Sequence, residues 1–268
     1  MMNGFSMKFS EIFTSMTRSG DTLTAPIHKD WSQGRSAFGG LVAGLAYHAT
    51  REISGEKRAL RSAMISFVGP TGDEVDIDVS LLRSGRTSSS YRTEIKNGAN
   101  CATEVIFTFA DHRTESILDY PAPVSPVQKT PLSDPTIETY HPPFPLFYSQ
   151  FEVAPIHNMP FAKAETPDLY WWIRHNDEDA RKSMTGLITL ADALIPAYGT
   201  SMSEWTPMSS VNWMINMLGD NPTTEEGWWL VRTTADSAGG GFSSQNMAIW
   251  NTSGECVMLA RQLVSIFA

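Results

Sequence analysis

Three polar side chains in the second half of the chain have the chemistry needed to hold and activate a water molecule. Asp192 interrupts the apolar run LITLADALI at 187–195, Gln262 interrupts the apolar terminal segment 257–264, and Ser210 begins a strand-like segment. A carboxylate can act as a general base, while an amide and a hydroxyl can fix the attacking oxygen by hydrogen bonds. These residue types fit a hydrolysis that needs no histidine.

Each of the three residues also has a purely structural interpretation. In that interpretation Asp192 faces solvent or forms a hydrogen bond with a nearby backbone group, because burying an ionised carboxylate without hydrogen-bond partners costs free energy. At a period of two, Gln262 shares a face with Met258 and Ala260, which directs it inward. A glutamine on an edge strand facing water is the alternative. Ser210 taken alone is no more informative than any other serine in a strand.

An internal repeat favours a functional role for Asp192. Residues 36–52 and 183–198 each predict a helix of small apolar residues with glycine near its start. Superposing their Gly-Leu-Val and Gly-Leu-Ile triplets gives an offset of 186 − 40 = 146 residues, which places Asp192 at the position of Ala46. Because the first copy has no acid there, the fold does not require one. We therefore predict a carboxylate in the middle of the second helix and one working centre per chain.

Strand-like segments follow both helices in the same order. They lie at 63–68, 74–82, 88–96 and 102–110 after the first helix, and at 209–217, 228–235, 243–250 and 256–267 after the second. Asn97-Gly98 is a strong hairpin signal, and the turn 251–254 occupies the same place in the second half. A further apolar strand, 169–174, opens the second half. We predict an α+β fold in which each half wraps an antiparallel sheet around its helix.

The two halves are separated by a proline-rich connector. We predict domains at 1–115 and 161–268, with the connector at 116–160. Eight of the 16 prolines fall between residues 121 and 145, a density that predicts an extended segment without regular structure. An aromatic cluster at its end predicts that this end docks on a surface; its members are Phe144, Phe147, Tyr148 and Phe151.

Composition excludes several classes of function. A net charge of −9 argues against binding to nucleic acid or an anionic membrane. The first residues lack the continuous apolar core of a secretory signal, and the longest apolar stretch, 38–49, is too short to span a bilayer, so a cytoplasmic location is expected. Two cysteines, Cys101 and Cys256, make a disulfide scaffold unexpected.

Other catalytic motifs are missing from the sequence. No Gly-x-Ser-x-Gly elbow occurs, which disfavours an α/β-hydrolase, and none of the six histidines has a metal-binding spacing. His48 on the first helix lies beside Arg51 and Glu52, which indicates an exposed face. We expect no metal and no cofactor.

Several motifs of the first half resemble those of type II acyl-CoA thioesterases. They are Phe38 to Gly44 (FGGLVAG), the run ending in Phe67 to Pro70 (FVGP), the segment Leu82 to Arg86 (LRSGR), and Asn97-Gly98. The resemblance covers roughly 20–110 and 165–268. It implies a double hotdog fold, in which two fused units each wrap an antiparallel sheet around a long helix. Further pairing of chains into a homo-oligomer is common in that family.

The resemblance also implies a reaction and a site. The family's Asp, Thr or Ser, and Gln fall on Asp192, Ser210 and Gln262, and the implied reaction is hydrolysis of a fatty acyl-CoA to a free acid and CoA. Serine stands here for the commoner threonine, and Asn212 and Trp213 stand where a family member has an acid and a histidine. This departure leaves the preferred acyl chain length open.

Further contacts with the substrate follow from the same resemblance. Backbone N–H groups of Gly39 and Gly40 are expected to stabilise the thioester oxyanion at the helix start. The exposed charges Arg83 and Arg86 are ordinary surface residues by default and are candidates for contacts with the CoA phosphates. Candidates for the acyl tunnel are Trp213, Met214, Met217 and Phe242.

Two other functions on the same fold remain as alternatives. The first is a non-catalytic acyl-CoA-binding or assembly protein, which would hold acyl-CoA without releasing product. The second is a dehydratase or hydratase, which usually pairs a histidine with an acid on the helix. Neither Asp192 nor Ala46 has a helical histidine at a suitable spacing, which disfavours this second alternative.

Overall fold

Apolar alternation and turn glycines place the strands close to the predicted segments. The computed structural model describes residues 7–113, 115–118, 120–128, 137–138 and 144–267. In the first half the elements are α1 (Phe9–Thr14), β1 (Thr17–Ser19), β2 (Thr22–Pro26), β3 (Ser32–Gln33), β4 (Ser36–Ala37), α2 (Gly39–Ser54), β5 (Ala59–Phe67), β6 (Glu74–Ser84), β7 (Ser88–Asn97) and β8 (Asn100–Ala110). In the second half they are β9 (Phe151–His157), β10 (Asp168–His175), α3 (Met184–Ala191), β11 (Met208–Met217), β12 (Trp229–Gly239), β13 (Phe242–Trp250) and β14 (Cys256–Ile266).

Twelve of the strands form one antiparallel sheet. Its order is β1-β2-β6-β7-β8-β5-β11-β14-β13-β12-β10-β9, and β3 and β4 form a separate two-stranded ribbon. The pairing of β5 with β11 joins the two halves in the middle of the sheet. Helices α2 and α3 pack against each other, and α2 also packs on β6, β7 and β8.

The two halves of the sheet repeat each other in register. Met64 of β5 pairs with Met214 of β11, so a local two-fold relates positions 64 and 214. Each half has a register irregularity at the same place, between Leu60 and Ser62 in β5 and between Ser210 and Asn212 in β11. The repeat observed in the sequence therefore extends to the irregularities of the strands.

Glycines set the close approach of α2 to α3. A Cβ atom on Gly40 would overlap the backbone carbonyl oxygen of Thr189, and a Cβ on Gly44 would overlap the Thr189 hydroxyl. α2 ends at Gly55, which adopts the left-handed conformation (φ 64°) that glycine accepts without strain.

The second helix is shorter than the sequence predicts. We expected 183–198, but α3 covers Met184–Ala191 and Asp192 caps its C-terminus. The bond from the Ala193 N–H to the Leu190 carbonyl already belongs to a tighter turn, and Pro196 prevents the helix from resuming. The predicted place of Asp192 in the middle of a helix is therefore wrong, and the expectation of a long helix in each half fails for the second half.

The end of the connector is more ordered than its prolines suggest. A short 3-10 helix (Leu146–Gln150) leads into β9, so regular structure begins directly after the proline-dense part, 121–145, and inside the connector predicted at 116–160. The predicted docking of its aromatic cluster is confirmed, because Phe147 is buried and stacks on Phe38, with ring centroids 3.9 Å apart. His141, a connector residue, lies outside the described residues.

The search for membrane-spanning helices has a negative result. Within the described part of the chain, no helix combines the length and the hydropathy needed to cross a bilayer.

Candidate active site

The three polar residues singled out in the sequence meet in the structure. The Gln262 Nε2 group donates one hydrogen bond to Asp192 Oδ1 at 2.8 Å and another to Ser210 Oγ at 2.8 Å. Asp192 ends α3, Ser210 lies near the start of β11, and Gln262 lies on the adjacent strand β14. Asp192 and Gln262 are buried, with exposed fractions of 9% and 3%. One amide therefore joins a buried carboxylate to a hydroxyl.

A second glutamine, which sequence reasoning missed, continues this network. Gln245 on β13 pairs in register with Gln262, and its Nε2 group donates to Gln262 Oε1 at 2.6 Å. The Oε1 atom of Gln245 accepts from the backbone N–H of Ala197 at 2.8 Å. The signal was a polar residue on the inward face of a strand, adjacent to Gln262 across the sheet.

The same positions in the first half hold neither an amide nor a carboxylate. Ala63 and Trp213 are equivalent under the local two-fold; Ala63 pairs with Phe107, and Trp213 pairs with Gln262. On the next strand of each half, Tyr91 pairs with Phe107 and Gln245 pairs with Gln262, so Tyr91 corresponds to Gln245. The same two-fold relates Leu60 of β5 to Ser210 of β11. With Ala46 at the position of Asp192, the polar set is confined to the second half. Among the described residues the sheet thus contains one such set, and its counterpart in the first half lacks the amides and the carboxylate.

The start of α2 lies against the Asp192 carboxylate. A Cβ atom on Gly39 would approach Asp192 Oδ2 to 2.8 Å, which explains why glycine stands there. The Gly40 backbone N–H donates a hydrogen bond to the carboxylate. The expectation that the N–H groups of Gly39 and Gly40 stabilise an oxyanion stays a prediction. Gly39, at the first position of α2, has no helical partner for its N–H.

Burial brings the pKa of Asp192 close to neutral pH. Desolvation raises the pKa of Asp192 to about 7, while hydrogen bonds from Gln262 and Gly40 oppose the rise. Tyr148, from the 3-10 helix before β9, is the titratable neighbour, and burial raises the pKa of its phenol. A general base is most effective when its pKa lies near the working pH.

Candidates for the acyl tunnel divide between the two faces of β11. Trp213 and Met217 are buried on the inner face, and Trp213 pairs with Gln262. Met214 is 42% exposed and lies on the outer face beside Met64, so the expectation that it lines the same tunnel as Trp213 is wrong. Successive side chains of a strand point to opposite faces, which the sequence prediction ignored. Phe242, at the start of β13, is 47% exposed.

The structure does not bring Arg83 and Arg86 beside Asp192. Both are exposed near the hairpin between β6 and β7, whose Gly85 carbonyl accepts from Arg58 at 3.3 Å. Arg58 follows the C-terminal end of α2, whereas Asp192 lies at its N-terminal end. Sixteen helical residues separate the two ends by about 24 Å.

The described residues contain no group of three or more His, Cys, Asp or Glu placed to hold a metal ion.

Two family models match the chain on either side of the connector. A model of the acyl-CoA thioesterase N-terminal domain matches residues 27–110, and a model of the C-terminal domain matches residues 124–266. The chain belongs to the acyl-CoA thioesterase family. The resemblance stated from the sequence is thereby confirmed, and this thioesterase is a hydrolase of acyl-CoA thioesters. No curated protein matches the thioesterase at a significant level.

Solved structures confirm a hotdog fold for the thioesterase. A conserved hotdog-fold protein of unknown function from Alicyclobacillus acidocaldarius has a TM-score of 0.85 at 18% identity, covering 97% of this chain and 98% of its own. The TesB protein of Mycobacterium avium subsp. paratuberculosis has a TM-score of 0.78 at 16% identity, covering 97% and 100%. The acyl-CoA thioesterase II TesB2 of Mycobacterium marinum has a TM-score of 0.71 at 15% identity, covering 96% and 97%.

Proposed function

We propose that the thioesterase hydrolyses acyl-CoA with a water molecule held by Asp192, Ser210 and Gln262. The observation that carries the proposal is the pair of hydrogen bonds from one Gln262 amide nitrogen to Asp192 and Ser210. Apolar residues at the corresponding positions of the first half support a role beyond folding. A buried carboxylate raises the free energy of the folded state, so its presence calls for a use.

In this mechanism Asp192 accepts a proton from the water as the water oxygen attacks the thioester carbonyl carbon. A C–O bond forms, and the carbonyl oxygen takes the negative charge. When the carbonyl re-forms, the C–S bond breaks and the CoA sulfur leaves with a proton returned from Asp192. Ser210 donates to the water, Gln262 holds Asp192 and Ser210 in place with its two N–H groups, and the Gly39 N–H at the start of α2 faces the developing oxyanion.

We further propose that the chain is a tandem pair of hotdog units with one catalytic centre. The repeated strand order and the matching irregularities of β5 and β11 support this interpretation. The centre combines the end of α3 from the second unit with the start of α2 from the first. Domain limits at 1–115 and 161–268, pairing of further copies, and a cytoplasmic location stay predictions from the sequence.

Replacing Asp192 by asparagine tests the catalytic assignment. The asparagine side chain keeps an oxygen for Gln262 but cannot accept a proton from water, so we expect thiol release from acyl-CoAs to fall by about 100-fold or more. The measurement is release of free CoA thiol across short to long acyl chains. Asp179→Asn, an exposed carboxylate before α3, is the matched control and should keep wild-type turnover.

Turnover of the Asp192→Asn variant within a few-fold of wild type would overturn the mechanism. A wild-type protein that binds acyl-CoA tightly and releases no thiol from any chain length would instead identify the non-catalytic binding protein.

A further inference from the structure

We propose that Gln245 is a positioning residue that sets the orientation of the Gln262 amide; the proposal rests on the function proposed for Asp192. Gln245 does not touch the Asp192 carboxylate. It acts through Gln262, which donates to both Asp192 and Ser210.

A backbone group determines the direction of the whole chain of hydrogen bonds. The Ala197 N–H can only donate, so Gln245 must present its Oε1 atom to it, at 2.8 Å. Gln245 then has only its Nε2 group to offer Gln262, and that group donates to Oε1 at 2.6 Å. Gln262 is left with Nε2 facing Asp192 and Ser210, as catalysis requires.

The opposite orientation of Gln262 would damage the centre. Its Oε1 atom would then face the Asp192 carboxylate, placing two acceptors against each other. Because the donor Gln245 and the carboxylate lie on opposite sides of the amide, both favour the same orientation. Gln245 is 1% exposed and Gln262 is 3% exposed, so water does not substitute for either partner.

The fold itself does not require a glutamine at position 245. Its counterpart in the first half is Tyr91, and the counterpart of Gln262 is Phe107. The sheet therefore closes around aromatic residues at both positions, with the Tyr91 hydroxyl donating to Glu56 Oε2 at 3.5 Å. Buried amides occupy these two positions only in the half that contains Asp192, which indicates that their role is connected with that residue.

The test replaces Gln245 by methionine, which has a similar length but neither donates to Gln262 nor accepts from Ala197 strongly. We expect kcat to fall by about tenfold or more with KM little changed, since a misplacement of about 1 Å can reduce a rate roughly a hundredfold. The apparent pKa on the acidic limb of the pH–rate profile should rise, because a loosened Gln262 no longer stabilises the ionised form of Asp192. The other groups facing that carboxylate, the Gly40 N–H and Tyr148, are unchanged.

Ser243→Ala is the matched control. Ser243 is buried on the same strand and face, and its hydroxyl donates to the Ser237 carbonyl at 3.1 Å, outside the network. This variant should keep the wild-type pH profile. A Gln245→Met enzyme with wild-type kcat and pH profile would overturn the proposal.

A carboxyl carbon NMR titration of Asp192 separates this proposal from the proposed function. If the wild type releases no thiol but Gln245→Met still raises the Asp192 pKa, the function fails and the positioning role stands. If hydrolysis is robust and the Asp192 pKa is the same in both proteins, the positioning role fails alone.

Discussion

At the residue scale, the Asp192 carboxylate destabilises the fold that holds it. Folding raises its pKa from 3.8 to about 7, so the folded state favours the protonated form. The carboxyl group therefore destabilises the folded state least at low pH, and the free energy of unfolding falls as the pH rises from about 4 through 7. Asparagine is neutral throughout. We expect Asp192→Asn to gain about 1–3 kcal/mol in the free energy of unfolding at pH 8 relative to wild type.

This gain should shrink between pH 8 and pH 5, as urea unfolding at both values would measure. An Asp192→Asn protein that is no more stable than wild type at pH 8, and that differs from wild type by the same amount at pH 5, would show that burial of the carboxylate does not destabilise the fold.

Ser210 offers a residue-scale prediction with a neighbour as its control. Ser210→Ala removes the hydroxyl that accepts from Gln262, so we expect kcat to fall about tenfold or more while the protein stays folded. Ser209→Ala changes the exposed residue next to it and should leave kcat within about twofold. Steady-state thiol release by the two variants makes the comparison. Equal activities would remove Ser210 from the centre.

The sequence was sufficient to single out Asp192, Ser210 and Gln262, which meet in the structure, but not Gln245, for a geometric reason. An offset of 146 residues aligns the helices, yet the strands β7 and β13 align at 245 − 91 = 154 residues. Loops of different length lie between the helix and these strands in the two halves. A single offset therefore compares Gln245 with the turn residue Ala99 rather than with Tyr91, and the contrast between the halves is hidden.

At the scale of elements, the contact between α2 and α3 depends on two glycines that meet different parts of Thr189. Gly44→Ala should destabilise the protein by about 1–3 kcal/mol because its methyl group overlaps the Thr189 hydroxyl. That hydroxyl has no hydrogen-bond partner among the described residues, so Thr189→Ala should restore most of the loss. Gly40→Ala overlaps the Thr189 backbone carbonyl, which Thr189→Ala leaves in place.

Thermal unfolding of the three single variants and the two double variants tests this packing. Rescue of both glycine variants by Thr189→Ala, or of neither, would contradict the packing described for the two helices.

Strand boundaries were easier to predict than helix boundaries. Alternation and turn residues define a strand locally, and β7, β8 and β13 begin and end within about two residues of the predictions. The end of α3 depends on a non-local partner. The helix ends at Asp192, whose carboxylate contacts Gln262 on β14 and the start of α2. No local sequence pattern indicates those partners.

At the scale of the molecule, one sheet and one helix pair connect the two halves. We expect a single cooperative unfolding transition. Seven of the eight tryptophans lie after the connector, so fluorescence reports the second half, while α2, with 16 residues, gives helical circular dichroism a large share from the first half. Midpoints in urea that coincide for both signals are expected. Two separated midpoints would show that the halves unfold independently.

The junction of β5 with β11 has a consequence for the enzyme at work. Two separate subunits that share a centre lose it when dilution drives them apart. In the centre proposed here the two contributors, the start of α2 and the end of α3, belong to one polypeptide, so their effective concentration is the same whatever the amount of protein. Activity per molecule therefore need not decline in a cell that makes only a few copies.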